Sequence, residues 1–334
     1  LYADIRSLIP CAYQGRIYEI TIFCELLVEI YNCFEAEEIP EEKEIQQIIY
    51  WFYHDYGELF MEINVLSMTC SELDYVTQII MNSDLEDLSY LYRYGSYITE
   101  NEIKTARFLN SLSGEQIQAM ADTYTEGYRI GFEVTGKDLS KKKYVDLRYN
   151  IGFERMMRAA VSNFAKMGLK PVVPRIENFS YNGRDNGTMA VESTQPNRQY
   201  LYDHKADRAM YLDKALVERR LESLKTAYEN RKEDAVLYAG PAVVEVFGEA
   251  GFEPKGNPSA YQYSEKQQKL NVYAANMESQ ITNEHIHGEE RSFTIIAYPI
   301  PEIGPKFEEI FEKTVEINTL DYKLYQNMQQ KIID

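Results

Sequence analysis

Two imidazoles and three carboxylates fall together at Glu284-His285-Ile-His287-Gly288-Glu289-Glu290, the one cluster in the sequence with metal-ligand chemistry. Imidazole nitrogens and carboxylate oxygens suit zinc and similar divalent ions, so His285 and His287 are the metal-ligating candidates. A small-molecule enzyme working through them is one reading of the pair. The other is structural, because both histidines stand where a helical pattern gives way to Gly288 and a strand, a usual position for exposed polar residues. His54, in an aromatic helical stretch, and His204, at an expected helix start, read as structural.

Other chemistry-bearing patterns are thinner. Gly131-Phe-Glu-Val-Thr-Gly136-Lys137 fits most of a phosphate-binding loop, but Asp138 occupies the place of the magnesium-binding Ser or Thr. It also follows a helix and precedes a strand, whereas a phosphate needs the N–H groups at a helix N-terminus. The segment therefore reads as a helix end with a loop. Lys141-Lys142-Lys143 reads as a solvated loop. Glu154 and Arg155 follow a strand, where α/β folds place ligand-binding residues, and suggest a cleft there. The sequence has no G-x-G-x-x-G after a strand, no H-E-x-x-H and no G-x-S-x-G. No nucleophile with its base can be argued from spacing, since such partners are distant in sequence.

The elements that must position these groups fall into two textures. Residues 1–112 read as an acidic all-helical domain, with Ile45, Ile48, Ile49, Phe52, Tyr56, Leu59 and Phe60 at helical spacing. Ser71-Glu-Leu-Asp74 and Thr99-Glu-Asn-Glu102 resemble capping boxes, and Ser113-Gly-Glu-Gln116 opens a further helix. Residues 113–334 read as an α/β domain with a mainly parallel sheet. Strands are expected at Tyr144–Tyr149, Pro171–Pro174, Ala242–Phe247 and Ser292–Tyr298. Helices are expected at Phe153–Met167, from Asp203 to about Tyr238, from Ser264 to about Thr282, and at Phe307–Val315. Leu320, Leu324, Met328 and Ile332 share the face of a last helix. The polar stretch Glu177–Gln199 reads as a loop with room for a hairpin. Its Asn178-Phe-Ser180 and Asn186-Gly-Thr188 match the glycosylation pattern but, without a secretion signal, mean only polar loop.

Composition excludes whole classes. The 334 residues are 45% hydrophobic and carry a net charge of −18, so a core is affordable and a basic nucleic-acid footprint is absent. The same charge disfavours a membrane surface, and no apolar run approaches the ~18–20 residues of a span. Residues 1–100 hold 19 acidic and 4 basic side chains, net −15, which leaves the rest nearly balanced. All four cysteines (Cys11, Cys24, Cys33, Cys70) lie in that block without a C-x-x-C pair, which reads as buried thiols in a reducing, cytoplasmic setting. The chain opens at Leu1 and stops at Asp334 inside a helical pattern, so we expect an interior piece of a longer protein.

Four stretches resemble a known family: Tyr124-Thr-Glu-Gly-Tyr-Arg-Ile-Gly-Phe132, Gly240-Pro-Ala-Val-Val-Glu-Val-Phe-Gly-Glu249, Gly288-Glu-Glu-Arg-Ser-Phe-Thr-Ile-Ile-Ala-Tyr-Pro299 and Ile317-Asn-Thr-Leu-Asp-Tyr-Lys-Leu-Tyr325. They are similar to the amino-terminal half of the aminopeptidase T/S/PepS metallopeptidases, which include leucyl aminopeptidases. The resemblance implies an amino-terminal α/β domain ahead of a second domain with two divalent metal ions (Zn, Co or Mn). The family's metal ligands and catalytic Tyr belong to that second domain, and no position here matches them. It further implies a peptide substrate for the parent protein, release of N-terminal amino acids, and room for a homodimer. The acidic helical block departs from the shorter family members. The alternative is a non-enzymatic α/β scaffold or interaction module.

Overall fold

The computed structural model describes residues 8–35, 38–174, 190–319 and 322–333. Both glycosylation-pattern sites and Leu320 lie outside the described residues.

Among the described residues seven α-helices precede the first strand: α1 (Leu8–Tyr13), α2 (Ile17–Phe34), α3 (Glu42–Asp55), α4 (Gly57–Thr69), α5 (Tyr75–Asn82), α6 (Glu100–Ser111) and α7 (Gly114–Val134), with a 3-10 turn at Leu88–Tyr94. Then come β1 (Tyr144–Asn150), α8 (Glu154–Lys166), β2 (Lys170–Val172), β3 (Val191–Glu192), α9 (Arg198–Asp203), α10 (Lys214–Asn230), α11 (Lys232–Ala235), β4 (Tyr238–Phe247), α12 (Glu265–His285), β5 (Thr294–Pro299), α13 (Phe307–Asn318) and α14 (Tyr322–Ile333). The α/β class with a helical amino-terminal region, as the sequence reads, is the observed class.

Local chemistry sets several of these boundaries. Thr99, Ser113 and Ser264 each close a reciprocal capping box with the Glu or Gln three residues on, satisfying orphan N–H groups at the starts of α6, α7 and α12. Ser71 does not: α5 begins at Tyr75, after an Asp74 whose side chain makes no cap bond. The long helix expected from Asp203 is broken. Asp213 accepts from the Leu216 N–H at 2.8 Å and starts α10 afresh, and the chain is already a strand at Tyr238. His204 accordingly follows the end of α9 rather than starting a helix.

The sheet runs β2-β1-β4-β5, every pair parallel, and β3 continues the β2 edge by pairing with the far end of β1. The polar stretch thus contributes a parallel strand end at Val191–Glu192 and no hairpin among its described residues. Parallel neighbours require crossovers, so all carboxyl ends of the strands lie at one edge. One apolar cluster packs Val145, Leu147, Val244 and Tyr298 of the sheet against α5–α8 and α13. A second joins α1–α4 to α10 and α12. No described helix is long and apolar enough to cross a membrane.

Three segments far apart in sequence, in α7, in β4 and just before β5, interlock. A Cβ on Gly131 of α7 would stand 2.2 Å from Ser292 Oγ, and one on Gly240 of β4, at φ +113°, would stand 1.9 Å from the Ser292 carbonyl oxygen. The Tyr128 hydroxyl donates to the Gly240 carbonyl at 3.0 Å. Close backbone approach explains both glycines.

Two expectations are corrected here. No disulfide joins the cysteines, but only Cys11 and Cys70 are buried; Cys24 is exposed and Cys33 half-exposed, because the outer face of α2 is itself apolar. Lys142 is not a solvated loop residue. It is buried, and its ammonium donates to the Val236 carbonyl and to Glu290, each at 2.9 Å.

Candidate binding cleft

The carboxyl edge of the sheet carries a cleft of about 720 Å³, lined by polar and apolar groups together. Its walls are the N-terminus of α6 (Thr99 to Lys104), the segment after β3 (Thr194 to Gln199), Phe252 beyond β4, and Pro301-Glu302 beyond β5. Its position follows from topology, since loops leaving parallel strands converge at that edge.

Two carboxylates build it. Glu102, buried, accepts from the Thr99 N–H at 2.6 Å and the Thr99 hydroxyl at 2.7 Å with one oxygen. Its other oxygen accepts from the Thr194 N–H at 2.7 Å, so the α6 cap also fixes the segment after β3. Glu302 accepts from Arg198 at 3.0 Å, the Ala250 N–H at 3.0 Å and the Asn101 amide at 3.2 Å, and its own N–H donates to Asn101 Oδ1 at 2.9 Å. Four chain segments therefore meet on one side chain. The Gln199 amide holds the 250s loop by a reciprocal pair of 2.9 Å bonds with the Lys255 backbone.

What remains to face a ligand is small and mixed. Lys104 and Glu100 are exposed, 3.5 Å apart, and offer one charge of each sign. Gln195 is exposed, and Phe252 presents an aromatic face at 42% exposure. The Thr194 hydroxyl is buried without a hydrogen-bond partner. Surface ion pairs of this kind exchange readily with water and ligands, because their net stability is ~0–1 kcal/mol.

The residues singled out in the sequence lie elsewhere. Glu154 is fully buried behind the cleft and accepts from the Tyr90 hydroxyl at 2.8 Å and the Gly152 N–H at 2.9 Å. Burial pushes its carboxyl up to about 6, against the pull of those donors. Arg155 donates to the Leu109 and Leu112 carbonyls, closing the end of α6. Neither lines the cleft.

His285 is buried and stacked on Tyr228 with ring centroids 5.1 Å apart; its Nδ1 lies 3.0 Å from the Ile281 carbonyl oxygen and its Nε2 3.4 Å from Glu229. His287 is half-exposed, and its neighbour Glu290 is engaged by Lys142. Among the described residues no group of three or more His, Cys, Asp or Glu could hold a metal ion. The donor set at His285 and His287 does not fit a divalent metal, because His285 is stacked on Tyr228 with its Nδ1 engaged at the Ile281 carbonyl.

A second cluster escaped the sequence reading. Asp146, fully buried in β1, accepts from Arg148 Nε at 3.0 Å, Arg148 Nη2 at 2.7 Å and the Tyr238 hydroxyl at 2.9 Å. Burial, reinforced by the Asp146 charge, raises the Tyr238 phenol well above its ordinary range. The i, i+2 spacing of Asp146 and Arg148 on one strand face was a readable signal. Nothing in the sequence links Asn101, Arg198 and Glu302.

Comparison with protein-family models, with curated proteins and with solved structures yields no match for this chain.

Proposed function

We propose that this chain is a peptide-binding, non-catalytic portion of a divalent-metal-dependent aminopeptidase, with the cleft at the carboxyl edge of the sheet as the place where a peptide is held. The observation that carries the reading is the chemistry the cleft leaves unspent: one cation, one anion, an exposed side-chain amide and an aromatic face. Those groups complement the termini, backbone amides and side chains of a short peptide, whereas an anion alone would be repelled by Glu100. In this reading the two metal ions and the hydrolytic chemistry belong to a domain beyond Asp334, and the protein works in the cytoplasm.

The test is a calorimetric titration of the chain with the tripeptide Leu-Gly-Gly, beside an assay of leucyl anilide hydrolysis with added Co²⁺, Zn²⁺ or Mn²⁺. We expect saturable peptide binding, weakened in Lys104→Ala and Glu100→Ala, and no release of amino acid. Metal-dependent turnover by this chain would overturn the non-catalytic assignment. Absence of peptide binding would leave the cleft without its role. A second reading, an interaction module with no chemistry of its own, is favoured by the exposed apolar face of α2.

A further inference from the structure

Between α2 and α3 lies a trough of about 570 Å³. Two helical ridges form it. Glu25, Glu29 and Cys33 recur every four residues along α2, and Glu44, Ile48, Trp51 and Asp55 recur at steps of four, three and four along α3. The Cys33 thiol, late in α2, feels the charge of Glu44 at the start of α3, whereas Tyr56, just past α3, feels Glu25. The helices therefore run antiparallel. Buried Leu26 and Phe52 make the floor, and Trp51 stands in the trough 54% exposed. A large aromatic left open in a groove is the commonest kind of binding anchor.

The rim is uniformly anionic. Glu25, Glu29, Glu44 and Asp55 are all exposed, and no lysine or arginine lines the trough. Elsewhere on the surface carboxylates pair with a cation one turn away, as Glu126 and Glu133 do with Arg129 and Glu316 does with Lys313. Here only Asp55 has a basic neighbour, His54 at 2.9 Å. Glu44 and Glu29 act together on the Cys33 thiol, which partial burial and then these two charges push up. Partial burial raises the Tyr56 phenol too, with Glu25 and Asp55 adding to it. Like charges thus face one another across the trough at both of its ends, a repulsion that a bound cation relieves.

The layout of the charge selects the occupant. Among the described residues no three metal-ligating side chains converge as a metal ion requires. The carboxylates are instead spread along the trough, and Glu25 and Cys33 mark ends that are about 12 Å apart at ~1.5 Å per residue. That interval matches two basic side chains two turns apart on a helix, with an apolar residue between them against Leu26 and the Trp51 ring, where an ammonium or guanidinium also gains from the aromatic face. A second copy of this chain, at net −18, would add like charge to the rim. We infer that the α2–α3 trough is a docking site for a basic amphipathic helix of a partner protein, with Trp51 as its anchor and Glu25, Glu29, Glu44 and Asp55 as its charge clamp.

The probe is an amphipathic peptide of leucine and lysine about four helical turns long, titrated into the whole chain. Trp51 is the only tryptophan, so emission excited beyond the tyrosine band reports this trough alone. We expect a saturable change in Trp51 emission that weakens as salt is raised. The combined variant Glu25→Gln, Glu29→Gln and Glu44→Gln, shown to fold by its circular dichroism melt, should bind at least about tenfold more weakly. A leucine–glutamate peptide of the same length should leave the emission unchanged. Absence of binding, or calorimetric binding that leaves Trp51 emission unaltered, would overturn the inference. So would undiminished affinity in the folded variant, or an equal response to spermine at the same concentration of charge, which is the mark of an ion atmosphere and not of a fitted groove.

Discussion

Two arginine–carboxylate pairs, one inside the sheet and one at its carboxyl rim, have similar geometry and opposite consequences. Arg148 grips Asp146 at 2.7 and 3.0 Å where the carboxylate is entirely removed from solvent. Arg198 meets Glu302 at 3.0 Å, with the two side chains 21% and 27% exposed. The Asp146 carboxylate has no approach for a ligand, although the Arg148 side chain that holds it is 37% exposed, so the role of the inner pair is to neutralise a carboxylate that the fold has enclosed. The outer pair borders the cleft and joins three loops and α6, so its role is to fix the shape of a surface that a ligand can reach. The depth of the carboxylate, rather than bond length, is what separates the two pairs.

The most forceful way to break that contrast is to remove the inner carboxylate. Asp146→Ala leaves the Tyr238 hydroxyl and the Arg148 guanidinium without their shared acceptor; because Arg148 is 37% exposed and can be rehydrated, the loss should be about 2–3 kcal/mol, the range of a lost charged hydrogen bond. Urea unfolding monitored by circular dichroism should show this as a fall in midpoint with little change in slope. A loss below about 1 kcal/mol would mean that water or a neighbour replaces Asp146, and the two pairs would then not differ in kind.

Glu154 sharpens the comparison, since it is a buried carboxyl bonded by a hydroxyl and an amide but by no arginine. Its folded pKa of about 6 stands above the ordinary 4.5. The folded state therefore holds a proton that the unfolded chain releases between those values. Stability from this group is fully present below pH 4.5 and is lost as the pH rises through 6, by roughly 2 kcal/mol at ~1.4 kcal/mol per unit. Glu154→Gln keeps an acceptor for Tyr90 and should flatten that slope when denaturation midpoints are compared from pH 4 to 7. An unchanged slope in the variant would assign the titration to another group.

How much of this was legible differs between the same two regions. The strand Tyr144–Tyr149 could be read from alternation, and the helix starts at Thr99, Ser113 and Ser264 from capping boxes, because both are local signals. The same alternation misleads about Asp146: a polar residue on alternate positions reads as solvent-facing, yet the helices of the second cluster cover that face around Tyr238. The cleft was only half visible. Its location at the carboxyl edge follows from parallel strands, but Asn101, Arg198 and Glu302 are each about a hundred residues apart, and no spacing rule reaches across three crossovers. Glu154 and Arg155, in the position that topology favours, turn inward instead, because Gly152 lets the turn fold the Glu154 carboxyl back onto the chain.

At the rim, Glu302→Ala should act more on binding than on folding. Its partners are loop groups near solvent, where water can replace a lost acceptor, so the stability cost should be about 1–2 kcal/mol. Loss of the tether to Arg198, Asn101 and Ala250 should let the cleft walls separate and weaken Leu-Gly-Gly binding at least about tenfold, or ~1.4 kcal/mol. Equal losses in stability and binding would mark Glu302 as another enclosed charge and erase the distinction from Asp146.

The smallest effect is expected at His287, and it bears on chemistry more than on folding. The side chain is half-exposed at the end of α12, no buried network depends on it, and surface changes of this kind stay within about 0.5 kcal/mol. His285 differs by its stacking on Tyr228, so His285→Ala should destabilise by more than His287→Ala does. If neither imidazole serves a metal, the double variant should take up the same zinc as the wild type in a dialysis experiment read by elemental analysis. Stoichiometric zinc in the wild type that disappears in the double variant would reveal a centre assembled by movement of the α12 end. The polar function of the molecule would then have to be shared between that end and the cleft at the carboxyl edge of the sheet.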